Sequence, residues 1–178
     1  MIIALAGRRV DLLSTENPRF PLYNVETVRT RLHALLAETN ARSLVSSAAC
    51  GADLIAQSEA GELDLRRKVI LPFARERFRE TSVTDRPGDW GKLYDEVLDA
   101  VTAAGDLVVL QNVPDDRAYS AANAAILDEA AKLAKTSHEP LMAVQVWDGA
   151  SRGDHDLTEE FGVEARRRGL EVKEIRTS

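Results

Sequence analysis

Short apolar runs alternate along this chain with longer stretches in which apolar residues recur every third or fourth position. Ile2 to Ala6 is the first run and predicts a buried strand. A polar loop with Asn17-Pro18 and Phe20-Pro21 comes next, and then Val28, Leu32, Leu35 and Leu36 return at helical spacing. Ser43 to Ser47 predicts a second strand and Ala52 to about Leu63 its helix. Lys68 to Leu71 is a third strand, stopped by Pro72. Residues 74–89 are rich in charge and end in Asp85-Arg86-Pro87-Gly88-Asp89, which reads either as a long loop or as a lid that orders on binding. Trp90, Leu93, Tyr94, Val97, Leu98 and Val101 then fall on one helical face. Leu107 to Leu110 predicts a fourth strand, and Tyr119, Ala122, Ile126, Leu127 and Ala130 mark another helix. Pro140 introduces a fifth strand, Leu141 to Trp147. A helix from about Leu157 to Arg168 closes at Gly169, and Leu170 to Ile175 is the sixth strand.

Continuous apolar strands separated by helices belong to a parallel sheet covered on both faces. The expected fold class is therefore α/β, a single three-layer domain over residues 1–178 with a mainly parallel sheet of about six strands. No repeat or linker divides the chain.

Charge bears on the partner. The net charge of -6 speaks against a general phosphate-backbone binder, because such affinity comes from clustered Lys and Arg. Nucleic acid is thus an unlikely partner on composition, with Arg75, Arg77 and Arg79 either a local basic patch or a solvated face. The one cysteine, Cys50, excludes an internal disulfide and fits a reducing compartment. It is either a small loop residue or a thiol activated at a helix start. No Cys/His spacing supports a metal, and no cofactor is expected. Met1 to Ala6 is too short for a secretory core, and no window reaches the ~20 apolar residues that cross a bilayer. A cytoplasmic protein without a membrane partner is expected.

In an open parallel sheet, ligands bind beyond the carboxyl ends of the strands, where strand order reverses. The residues at the carboxyl end of each strand are therefore the candidate chemistry. After the first strand come Gly7-Arg8-Arg9, where Arg8 either pairs with a phosphate or carboxylate or bonds a loop carbonyl. After the second comes Ser46-Ser47-Ala48-Ala49-Cys50-Gly51-Ala52-Asp53, a small-residue turn into a helix of the kind that cradles phosphate. Ser46 and Ser47 either donate to that phosphate or cap the helix, and Asp53 either compensates the helix dipole or meets a ribose hydroxyl. Asn123 sits on the apolar face of its helix, facing the ligand or pinning a loop. Asp148, with Gly149, either holds a ribose hydroxyl or orients a loop. Glu159 and Glu160 open the last helix. Their roles are first-turn dipole compensation or, if one enters the cleft, nucleophile or general base. Of His33, His138 and His155, only His155 falls near this edge.

Taken together, Ala6-Gly7-Arg8, Ser46-Ser47 through Gly51-Ala52-Asp53, Ile70-Leu71-Pro72-Phe73, Ala122-Asn123 and Val146-Trp147-Asp148-Gly149 resemble the SLOG superfamily. Those Rossmann-like domains include the lonely-guy phosphoribohydrolases, DNA-processing protein A and nucleotide-sensing domains. The resemblance implies a Rossmann-like fold and a nucleotide or nucleotide-derived ligand held by Gly7, Arg8, Ser46, Ser47, Gly51 and the Asp148-Gly149 loop. Where phosphoribohydrolases carry Pro-Gly-Gly-x-Gly-Thr-x-x-Glu, this chain reads Asp148-Gly149-Ala150-Ser151-Arg152-Gly153-Asp154, running on to Thr158 and Glu159. The double glycine and the compact Gly-Thr are missing, which moves the expectation from hydrolysis toward recognition.

The residues admit three functions. The first is a nucleotide-binding sensor or recognition module in signalling. The second is an N-glycosidic hydrolase acting on nucleotides with Glu159 or Glu160. The third is a protein-interaction domain that keeps the fold without a ligand. A homodimer through faces around Trp90 or Leu127 is the expected assembly.

Overall fold

The computed structural model describes residues 1–178. Six strands form one sheet: β1 (Ile2–Gly7), β2 (Ser43–Ser46), β3 (Arg66–Leu71), β4 (Leu107–Val109), β5 (Leu141–Trp147) and β6 (Glu171–Arg176). Their order is β4-β3-β2-β1-β5-β6, and every pairing is parallel. The α/β class and Rossmann-like layering expected of the sequence are thus present, with a sheet that is wholly rather than mainly parallel. No helix is long and apolar enough to cross a membrane.

The period of two along β1 builds both layers. Ile3 and Leu5 pack with Val28, Leu32 and Leu36 of α1 (Val25–Glu38), with Leu54 and Ile55 of α2 (Ala52–Glu62), and with Tyr94, Val97 and Leu98 of α4 (Trp90–Ala103). Ile2, Ala4 and Ala6 face the other way, onto Ile126, Leu127 and Ala130 of α5 (Asp116–Ser137) and Phe161 and Ala165 of α6 (Leu157–Arg167). Right-handed crossovers require this division. The chain steps outward from β1 to β4 with its helices on one face, then returns to β5 and β6 with α5 and α6 on the other. Trp90 and Leu127, expected as dimer contacts, are buried in these two layers.

One element departs from the pattern expected of the sequence. Residues 74–89 are not a continuous loop or lid, because Arg75–Ser82 forms a further helix, α3. Only Phe78 and Ser82 of α3 are buried, so it lacks the apolar stripe that would reveal it. Its arginines do not form a free basic patch. Arg75 pairs with Asp99 at 2.8 Å, Arg79 with Asp95 at 2.9 Å and Arg77 with Glu80 at 3.3 Å.

Strand order reverses between β1 and β5, which are in register from Ile2 opposite Leu141 to Gly7 opposite Val146. The ends of these two strands and the turn after β2 define the edge where a site is expected.

Candidate functional site

The turn after β2 has the phosphate-cradling shape, but four of the amides between Ala49 and Leu54 are already occupied. The Ala52 N–H donates to the Arg8 carbonyl at 3.1 Å, Cys50 N–H to the Ser82 carbonyl at 3.0 Å, and Leu54 N–H to the Ala49 carbonyl at 3.2 Å. The Ala49 N–H goes to Asp53 Oδ2 at 3.2 Å. Gly51 has φ +97°, and a Cβ there would lie 2.7 Å from the Arg8 carbonyl oxygen. At Gly7 a Cβ would meet that of Ala52 at 2.4 Å. Both glycines serve the packing of β1 against the start of α2.

Arg8 is buried and fully engaged. Its Nε donates to Asp148 Oδ1 at 3.0 Å, Nη1 to Asp156 Oδ1 at 2.6 Å and Nη2 to the Ala150 carbonyl at 2.8 Å. The guanidinium also lies 5.8 Å from the Trp147 ring centre, within cation–π range. Burial acts to lower its pKa, but Asp156 and Asp148 raise it on balance. Asp156 is the N-cap of α6, accepting from Thr158 N–H at 3.1 Å and Glu159 N–H at 3.2 Å. Burial works against its charge, yet Arg8 and the amides of Arg152 and Glu159 hold its pKa at about 2. Asp148 Oδ2 also accepts from Arg19 at 3.0 Å. This network clamps the loop after β5 onto the end of β1.

The other nominated residues divide. The Ser46 hydroxyl is buried, donating to the Ser47 carbonyl at 2.7 Å and accepting from Gln57 Nε2 at 2.9 Å. Asn123 Nδ2 donates to the Leu157 carbonyl at 2.9 Å and so ties α5 to α6. Glu160 reaches Ser120 at 3.3 Å, and Glu159 bonds Ser151. These two glutamates line a separate space of about 360 Å³ between α5 and α6, whose walls include neither Gly7, Arg8, Ser47 nor Asp53. Gly149 lies against the Arg176 guanidinium. His155 borders the edge, while His33 pairs with Glu59 and His138 ends α5.

What the edge presents is a basin of about 290 Å³ over Gly7, lined by Arg9, Arg86, Arg152, Asp116, Tyr119 and His155 together with Arg8 and Asp156. Arg9 and Arg86 share Asp85 as their acidic partner. Arg152 enters none of the ion pairs of this edge. Partial burial and the nearby Arg8 charge pull its pKa down, with Arg19 adding to the effect against Asp156. Tyr119 is half-buried, its hydroxyl within 3.1 Å of Ser82 Oγ. Beside the basin, Asp53 is buried and its carboxyl is pushed up by burial to about 7, against the opposing pull of the Ala49 amide and Arg9.

Sequence reasoning placed Arg9 and Arg152 after the first and fifth strands without giving either a role, and passed over Arg86 and Asp156 at this edge. Of the last two, Asp156 had a local signal, since Asp156-Leu157-Thr158-Glu159 is an N-cap with a glutamate at the third helical position.

Compared with protein-family models and with curated proteins, the chain matches none. Among solved structures it is similar to DNA processing protein A from Streptococcus pneumoniae, at 14% identity and a TM-score of 0.44, over 96% of this chain and 57% of that one. It is also similar to DNA processing protein A from Helicobacter pylori, described by its single-stranded DNA binding mode, at 18% identity and a TM-score of 0.44, over 97% of this chain and 74% of that one. The chain thus spans little more than half the length of the first. These are likenesses of fold, and neither protein is a lonely-guy phosphoribohydrolase.

Two expectations are corrected accordingly. The nucleotide sensor, with the N-glycosidic hydrolase as its alternative, is set aside on the geometry of the edge. Arg8, Ser46 and four of the amides after β2 are spent on the fold itself, and Glu159 and Glu160 lie apart from the edge. The exclusion of nucleic acid from net charge is set aside with it. A net charge averages the whole surface, whereas contact is local, and arginines gather at this edge.

Proposed function

We propose that the carboxyl edge of the sheet binds single-stranded nucleic acid through its phosphodiester backbone. One observation carries the reading: Arg152 stands on the rim of the basin without an acidic partner, beside Arg8, which already has two. A phosphate placed there offsets a repulsion that the folded chain otherwise retains. Arg9 and Arg86 give the strand further cationic contacts in the same basin. Tyr119 supplies a ring on which a base stacks, a contact open to unpaired strands and closed to a duplex whose bases are already stacked. The recessed basin, set between α5 and the loop before α6, favours a single strand for the same reason.

The test is fluorescence anisotropy with a labelled single-stranded oligonucleotide and its duplex at low salt. The single strand should bind tighter than the duplex. With about three guanidiniums engaged, log K should fall with log salt at a slope of roughly -2. Arg152→Glu should weaken binding at least tenfold without lowering the melting temperature. Salt-independent binding, or binding indifferent to Arg152→Glu, overturns the reading.

A further inference from the structure

The arginine-lined basin adjoins a smaller chamber of about 100 Å³, with Gly7, Arg9 and Tyr119 lining both. Pro72, Phe78, Ala122 and Ile126 give the chamber apolar walls, and Ser47 and Asp53 line it as well. Three polar atoms of its lining, Arg9 Nε, Ser47 Oγ and Asp53 Oδ1, are buried and find no hydrogen-bond partner in the protein. Buried polar atoms are otherwise almost always paired. Asp53 is only 7% exposed, and its other oxygen is held by the Ala49 N–H at 3.2 Å. One N–H donor, one carboxylate acceptor and one hydroxyl that serves as either are thus gathered among apolar side chains.

Size and donor pattern together select an occupant. A cavity of about 150 Å³ takes one benzene ring. A chamber of about 100 Å³ is smaller than that, so it takes the polar edge of one six-membered ring whose remainder stands in the adjoining basin, and it has no room for a fused pair. We propose that the chamber receives a single pyrimidine base unstacked from the bound strand, and that it prefers cytosine. The exocyclic amino group of cytosine donates to Asp53 Oδ1, the pairing that carboxylates make with this base. Its O2 accepts from Arg9 Nε and its N3 from the Ser47 hydroxyl, which can turn to accept from the N3–H of thymine. Thymine in the same pose sets a carbonyl oxygen against the carboxylate and is disfavoured. Apolar contact with Phe78 and Ile126 covers the ring faces. The inference rests on the proposed strand binding and adds base selection to a backbone contact.

The experiment measures anisotropy at pH 8, which keeps the Asp53 carboxyl ionised, with labelled 12-mers of dC, dT, dA and an abasic backbone. Oligo-dC should bind about tenfold tighter than the other three, the discrimination expected of a good paired edge contact. In Asp53→Asn the amide oxygen takes over the Ala49 N–H and leaves Nδ2 to the chamber, so the preference should pass from dC to dT. Circular dichroism melting confirms that the variant is folded. If abasic, dT and dC strands bind alike and Asp53→Asn changes no ratio, no base enters the chamber while backbone binding stands. If no strand binds, both proposals fall.

Discussion

Arg8 Nη1 and Asp156 Oδ1 meet at 2.6 Å, with the two side chains 2% and 0% exposed. Attraction inside a protein offsets the cost of burying both charges only when every remaining donor and acceptor is satisfied. Here each of the three guanidinium nitrogens has an acceptor, and the Asp156 carboxylate also takes the Arg152, Thr158 and Glu159 amides. Removing either partner leaves the other as a buried charge without compensation.

Arg8→Ala should therefore destabilise the protein by about 3 to 5 kcal/mol, as one-sided removal of a buried ion pair does. Urea denaturation would measure the shift in midpoint. A change below about 1 kcal/mol would show that the network contributes little to folding.

Asp53 sets a pH dependence of stability. Its folded pKa of about 7 lies above the value of about 3.9 expected in the unfolded chain. Between these values the folded state binds more protons than the unfolded state, so this contribution falls as pH rises through the window and is constant above it. Asp53→Asn has no such charge to bury. Its melting temperature should exceed that of the parent at pH 8, and the gap should close toward pH 4. An equal gap at both pH values would sink the assignment.

Gly51→Ala should cost about 2 kcal/mol or more in thermal or urea unfolding. A left-handed φ of +97° and a backbone oxygen 2.7 Å from the new Cβ leave the side chain no room. The same variant should keep its affinity for an abasic strand at temperatures well below its melting point, since Arg152 lies on another loop, while any dC preference falls with the displaced Arg9 and Asp53.

Arg77→Glu should leave strand affinity within about twofold while Arg152→Glu reduces it, both read by anisotropy at one salt concentration. Arg77 lies on α3, and the neighbouring Arg75 and Arg79 are held by Asp99 and Asp95. Equal losses from the two variants would indicate a diffuse electrostatic effect with no particular seat.

The central strands were legible because a parallel sheet buries both their faces and writes them as nearly unbroken apolar runs, as in Ile2–Ala6 and Leu141–Trp147. Helix α3 was not, because two buried positions in eight residues leave no period. At the site, the Ser46–Asp53 turn was visible as a shape, but the partners of its amides were not. The Arg8 and Ser82 carbonyls come from other elements, and no local pattern announces them. The acids that neutralise Arg8 lie 140 and 148 residues further along the chain. A basic residue after a strand therefore reads the same whether it awaits a phosphate or is already matched. Arg152 was given no role for the converse reason, since only the folded chain shows that it is left without an acid.

The position of β1 between β2 and β5 gives the molecule an order of assembly. Strands β1 to β4 pair with neighbours close in sequence, but the second side of β1 waits for residues 141–147. Until those residues are made, the central strand has a bare edge and Arg8 has no counter-charge. Contacts of such long sequence separation form late and slowly. The basin is therefore among the last features to appear as the chain folds, and a growing chain lacks it until β5 has paired with β1.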